Sequence, residues 1–258
     1  MTYPLPNFSL DLGGQVAIVT GASAGLGRRF AKVIAAAGGK VALTARRFDK
    51  LEGLAAEIRE AGGIAEPFEL DVTDADQLAR IVGRVADRLG TPQILVNNAG
   101  IPDAARAAKI PVDLVDKVID TNLRAPFILS REVAARLIAE RLPGRIVNIS
   151  SAAAYLYEGN GAALYAITKA AVVRMVEALS VEWAAFNINV NGIAPGGFAS
   201  EMMDGMLQRV GTEWIGKYPR KRLGDPAQLD STLLYLLSPS SEFVTGTVIR
   251  VDDGQHPK

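Results

Sequence analysis

Apolar residues in this chain fall into two recurring patterns. Short β-branched runs read VAIVT (16–20), KVALTA (40–45), IAEPFEL (64–70), QILVNN (93–98), RIVNIS (145–150), INVNGI (188–193) and TVIRVD (247–252). Between them lie Ala- and Leu-rich segments with helical periodicity, near 25–37, 48–61, 74–89, 112–140, 162–186 and 226–237. Most of the strand candidates are continuously apolar, as strands are when a parallel sheet is covered on both faces. Strand–helix alternation along the whole length predicts an α/β fold, a doubly wound, Rossmann-type parallel sheet of about seven strands. No linker, repeat or low-complexity tract breaks the rhythm, so residues 1–258 read as one domain. The segment 195–224, PGGFASEMMDGMLQRVGTEWIGKYPRKRLG, departs from it; an excursion of that length is expected to form a lid or substrate loop.

Charge then narrows the possible partners. With 28 basic and 28 acidic side chains the formal net charge is zero, without the basic excess of a nucleic-acid or anionic-membrane surface. No apolar run reaches the roughly 18 residues of a membrane span. The opening MTYPLPNFSLDLGGQ lacks the basic and apolar regions of a signal peptide, so a cytoplasmic location is expected. Cysteine is absent, which excludes thiolate nucleophiles, zinc–thiolate sites and disulfides. The single histidine, His256, cannot supply a multi-histidine metal site, and a Ser-His-Asp triad on it is close to impossible. Acid–base chemistry therefore falls to Tyr, Lys, Asp or Glu.

The turn after the first strand reads TGASAGLG (20–27), with Gly21, Gly25 and Gly27, and with Ser23 and Leu26 between and beside them. Glycine permits a tight turn and close backbone approach to a pyrophosphate, and the following helix offers free N–H donors. A purely structural β–α turn is the alternative. The second strand ends TARR: Ala45 stands where an acid would bond the ribose hydroxyl of NAD, followed by Arg46 and Arg47. Guanidinium groups fit a 2′-phosphate, which favours NADP(H) over NAD(H); two solvated arginines are the alternative.

In ALYAITKAAV (163–172), Tyr165 and Lys169 are four residues apart and share a helix face. A free phenol titrates at about pH 10, and a neighbouring ammonium, aided by the positive nicotinamide of an oxidised cofactor, is expected to favour the phenolate. Tyr155 and Tyr157 are followed four residues later by Gly159 and Gly161, so neither has such a partner; both are expected to line or border the pocket.

Together with NNAG (97–100), these motifs make the chain resemble the short-chain dehydrogenase/reductase family from about residue 13 to 254. The resemblance implies catalysis by Asn122, Ser151, Tyr165 and Lys169, with Lys169 also holding the nicotinamide ribose. Ser151 lies 165 − 151 = 14 residues before the tyrosine; Ser150 competes for its place but is expected to cap or pack. Asn122 would hold a water for proton relay. Asp71 and Val72 would edge the adenine, and Asn98, Ala99 and Gly100 the adenosine ribose. Pro195, Gly196, Phe198 and Ser200 would meet the nicotinamide. Ala24 departs from the Arg or Lys of many NADP-using relatives, and Asp253 from the usual glycine.

The implied activity is ketone–alcohol interconversion by an NADP(H)-dependent oxidoreductase on a small-molecule substrate. A 3-oxoacyl-thioester reductase and a non-catalytic cofactor-binding scaffold or redox sensor are the alternatives. For the thioester reading, PRKR (219–222) would supply basic surface at the pocket mouth. Ala153, Tyr157, Asn160, Gly197, Met203, Met206 and Trp214 are the expected substrate pocket. A homotetramer (or a homodimer) is implied, built partly on helices 112–140 and 162–186.

Overall fold

The computed structural model describes residues 4–157, 159 and 161–255. In chain order it contains β1 (Val16–Thr20), α1 (Gly25–Ala36), β2 (Lys40–Ala45), α2 (Phe48–Glu60), β3 (Ile64–Glu69), α3 (Ala75–Leu89) and β4 (Pro92–Asn97). Then come α4 (Val112–Ile119), α5 (Ala125–Glu140), β5 (Gly144–Ile149), α6 (Ala163–Trp183), β6 (Ile188–Pro195), α7 (Glu201–Val210), α8 (Asp230–Leu237) and β7 (Val248–Val251). The sheet order is β3-β2-β1-β4-β5-β6-β7, with every pairing parallel. This is one Rossmann-like domain.

Side chains alternate across each strand, so each strand feeds two cores. Ala17 and Val19 of β1 pack with Phe30, Ile34, Leu51, Leu54 and Leu233 from α1, α2 and α8. Val16 and Ile18 face the other way, toward Leu78, Ile81, Leu129, Val133, Val172 and Val176 from α3, α5 and α6. Burial on both faces explains the continuously apolar strands. Pro67, which cannot donate to a ladder, lies on the edge strand β3, where that loss is tolerated. From β1 the chain winds outward through β2 and β3, then returns to β4 on the other side of β1. That reversal opens a crevice above the strands' C-terminal ends.

Three expected helices differ from the periodic pattern. The segment 112–140 is α4 and α5 joined by a π turn, Asp120–Arg124. The 162–186 segment ends in a 3-10 turn, Ala184–Phe186, and 226–237 begins with one, Pro226–Leu229. Residues 195–224 hold α7 and a 3-10 stretch, Thr212–Lys217. Among the described residues no helix is long and apolar enough to cross a membrane, and no group of three or more side chains is placed to hold a metal.

Candidate active site

A cleft of about 840 Å³ lies over the C-terminal ends of the strands. Its floor begins at the glycine turn. Gly21 and Gly25 adopt left-handed φ values of 66° and 53°, which L side chains rarely tolerate. At Gly27 a Cβ would lie 2.4 Å from both the Gly21 carbonyl oxygen and Asn98 Nδ2, so this glycine packs the turn instead of lining the cleft. No side chain caps α1, whose N-cap is Ala24, and its first turn holds no acid. The helix therefore presents unsatisfied N–H groups and its positive end to the cleft, where Gly25 and Leu26 lie. This cradle fits a dinucleotide pyrophosphate.

The NNAG segment is fastened to the same turn. The Thr20 hydroxyl accepts from the Asn98 and Ala99 amides at 2.9 and 3.0 Å, and Asn98 Nδ2 donates to the Thr20 carbonyl at 2.9 Å. Thr20 is a positioning group that the motif contains but whose role spacing alone does not reveal. Asn98, Ala99, Gly100, Asp71 and Val72 all line the cleft. Arg46 is exposed beside it, whereas Arg47 is engaged: its guanidinium donates to Ser23 Oγ at 3.0 and 3.2 Å and to the Glu201 carboxylate at 3.1 and 3.4 Å.

Ser151 at the end of β5 and Tyr165 and Lys169 on α6 share one wall. Ser151 Oγ accepts from the Ala153 amide at 3.1 Å and hydrogen-bonds the Tyr165 phenol. Ser150 is occupied elsewhere, its hydroxyl donating to the Lys169 carbonyl at 2.7 Å. In the cofactor-free chain Lys169 is not among the groups that shift the phenol's pKa. Lys169 Nζ donates to the Ile149 carbonyl at 2.8 Å and sits 5.7 Å from the Tyr165 ring centroid. Burial raises the phenol's pKa above its ordinary value, opposed by the Ser151 hydrogen bond and reinforced by the charge of Asp103. Burial likewise lowers the Lys169 ammonium to about 8. Lys169 is buried and Tyr165 half-buried, so desolvation sets the direction for both.

Asp103 went unnoticed in the sequence. It is buried and accepts from the Leu164 amide in the first turn of α6 at 2.9 Å, tethering the post-NNAG loop beside Tyr165. Asn122 lies in the π turn, buried just behind the cleft wall. Its amide exchanges two 2.9 Å hydrogen bonds with the Ile101 backbone and donates to Thr168 Oγ1 at 3.3 Å. A Cβ on Gly100 would lie 3.4 Å from both Asn122 Oδ1 and Lys169 Nζ, which places the three together.

At the substrate end, Pro195, Gly196, Gly197, Phe198 and Ser200 line the cleft with Ala153, Tyr157, Met203 and Met206. Ser200 also caps α7, accepting from the Met203 amide at 3.2 Å. Trp214 does not line the cleft; Lys217 Nζ stacks over its ring at 4.0 Å. Tyr155 also lies outside it, under Arg250 at 5.0 Å. Asn160 and His256 fall outside the described residues. Ile101, Leu156, Met202, Arg209 and Tyr218 also line the cleft. Nothing in their local sequence marks them, because loop and lid positions reach the cleft only through the tertiary fold. Asp253, with φ of 52°, takes Arg222 Nε at 2.7 Å and Arg220 Nη1 at 3.2 Å, so it fastens the end of the 195–224 excursion to the β7 edge.

Comparison with known proteins agrees with this geometry. The profile of the short chain dehydrogenase family matches residues 15–210. The 3-oxoacyl-[acyl-carrier-protein] reductase of Thermotoga maritima is 33% identical over 95% of this chain and 99% of its own. Gluconate 5-dehydrogenase of Gluconobacter oxydans is 35% identical, with 95% of each chain covered. A solved short-chain dehydrogenase/reductase from Mycobacterium marinum superposes with a TM-score of 0.92 at 34% identity, covering 96% of this chain and 98% of that one. Another structure, from Beutenbergia cavernae, has a TM-score of 0.88 at 32% identity over 96% and 99% of the two chains, and carries bound NADP at low occupancy. The chain belongs to the short-chain dehydrogenase/reductase family. It is a nicotinamide-cofactor oxidoreductase acting between C=O and CH–OH groups.

Proposed function

We propose that this enzyme interconverts a ketone and a secondary alcohol with NADP(H), using Tyr165 as the proton donor and acceptor. The observation that supports this most directly is the hydrogen-bonded Ser151–Tyr165 pair on the cleft wall. A bound nicotinamide dinucleotide supplies the hydride from its C4. With its oxygen held by the Ala153 amide, the Ser151 hydroxyl can turn its hydrogen from the phenol to a substrate oxygen placed between them and polarise it. Tyr165 gives its proton to that oxygen as the carbonyl carbon gains hydride, and a phenolate remains. A phenol held protonated by burial is the form this step needs in the reducing direction. Lys169 then compensates the phenolate charge, and Asn122 orders the route by which the proton is replaced.

Ala45 in place of an acid, followed by Arg46 and Arg47, supports NADP(H) over NAD(H). The apolar walls of Ala153, Leu156, Met203 and Met206 favour a hydrophobic ketone. A 3-oxoacyl-thioester reductase is the second reading, supported by the likeness to the Thermotoga enzyme. Against it, two of the three cations in PRKR are already paired with Asp253. Mixing the enzyme with NADPH or NADH and a ketone library, with acetoacetyl-CoA as one member, tests these readings together. Faster NADPH consumption with simple ketones is expected, and no consumption of either cofactor across the panel would overturn the assignment.

The same proposal extends to a homotetramer. Phe127 on α5 and Ile167 and Val181 on α6 are 48%, 64% and 80% exposed, apolar side chains on the helices expected to meet a second copy. Light scattering should return four chain masses; a monomer would contradict it.

A further inference from the structure

Glu201 presents an unassigned feature at the adenosine end of the cleft. It is the first residue of α7, yet its carboxylate reaches across to the segment after β2. There it takes Arg47 through two guanidinium nitrogens at 3.1 and 3.4 Å, and Lys50 Nζ at 3.5 Å. Arg47 in turn donates to Ser23 Oγ in the glycine turn. Ser23, Arg46, Arg47 and Glu201 all line the cleft. Arg46, by contrast, is exposed and has no ion-pair partner among the described residues.

A two-oxygen anion on a guanidinium fork is the arrangement by which arginine takes phosphate. Glu201 therefore occupies the place on Arg47 that a ribose 2′-phosphate would need. A 2′-phosphate taking Arg47 must displace the carboxylate and then tolerate a like charge beside it. A ribose 2′-hydroxyl meets neither cost.

We propose that Glu201 is a specificity-determining residue: a built-in competitor for the 2′-phosphate that sets how strongly this enzyme prefers phosphorylated over unphosphorylated dinucleotides. The proposal rests on the nicotinamide-dinucleotide reading above and refines it. Because the carboxylate belongs to α7, releasing Arg47 leaves Lys50 as that carboxylate's remaining tie to the segment after β2.

The test uses the whole chain without substrate. Affinities for 2′,5′-ADP and 5′-AMP are measured by calorimetry for the wild type and for Glu201→Gln. Glu201 is exposed and its amide replacement retains the helix, so folding is checked simply by an unchanged melting curve. An exposed ion pair of this kind corresponds to a change of about fivefold or less. Glu201→Gln should bind 2′,5′-ADP up to about fivefold more tightly, with 5′-AMP unaltered, and the gain should vanish when Arg47→Ala is also present. An unchanged or weakened affinity for 2′,5′-ADP would overturn the proposal and leave Arg46 as the phosphate ligand. The wild-type ratio of the two nucleotides tests the NADP preference separately, since it does not depend on what the substitution does.

Discussion

At one end of the cleft Ser151 and Tyr165 are half-buried beside the buried Lys169; at the other, Arg46, Arg47 and Glu201 are exposed, with Lys50 next to them. The first end holds its groups with specific hydrogen bonds: Ser151 to Ala153 and Tyr165, and Lys169 to Ile149. The exposed end uses charge pairs that share partners, with Glu201 divided between Arg47 and Lys50. Desolvation makes each buried group consequential, whereas solvent and salt reduce the exposed pairs to about 1 kcal/mol or less. The groups proposed to take part in bond making are thus fixed in place, and those proposed to select a ligand remain exchangeable.

Substitutions at the two ends should separate accordingly. Ser151→Ala should lower turnover by about 100-fold to 1,000-fold while leaving NADPH affinity unchanged, read by steady-state kinetics and a fluorescence titration. Equal losses in both would place Ser151 in binding rather than in chemistry.

Lys169 offers a test through stability. Its folded pKa, about 8, lies below the ordinary 10.5, so the unfolded chain binds more protons between those values and stability rises with pH there. The cost of the buried ammonium is fully present below pH 8 and is lost by 10.5. In the cofactor-free enzyme, wild type should gain on the order of 3 kcal/mol over Lys169→Met between those limits, measured by urea unfolding. A pH-independent difference would show that the ammonium is solvated.

Gly27→Ala probes the cradle between the two ends. The added Cβ meets backbone at the Gly21 carbonyl, which cannot swing aside, so a loss of roughly 1–3 kcal/mol in thermal unfolding is expected. Asp253→Asn should have the smallest effect. The Arg222 hydrogen bond holds the Asp253 carboxyl below its usual range, so what it contributes is present above that range and disappears as pH falls through the lowered value. Its removal should slightly destabilise the enzyme at low salt and do nothing at about 1 M, where screening acts within about 3 Å.

Much of this was readable from the residues. Seven apolar runs gave the strands because burial on both faces leaves no polar alternation to confuse the pattern, and the glycine turn, NNAG and Tyr165–Lys169 stood out by spacing. The π turn at Asp120–Arg124 did not, because one wider turn barely disturbs helical periodicity. Four-residue spacing correctly put Tyr165 and Lys169 on one face, but spacing does not choose a hydrogen-bond partner, and the ammonium turned to Ile149. Glu201 and Arg47 are 154 positions apart, so only the folded chain reveals their pairing. Trp214 was misjudged for a related reason: a lid residue can pack on its own lid.

The central claim is that the Tyr165 hydroxyl delivers the proton during hydride transfer. Stopped-flow measurement of NADPH oxidation by Tyr165→Phe, with NADPH affinity determined on the same sample, tests it most directly. The account predicts affinity within about threefold of wild type and hydride transfer slowed by about 100-fold to 10,000-fold. Hydride transfer at the wild-type rate from an NADPH-saturated Tyr165→Phe enzyme would contradict it.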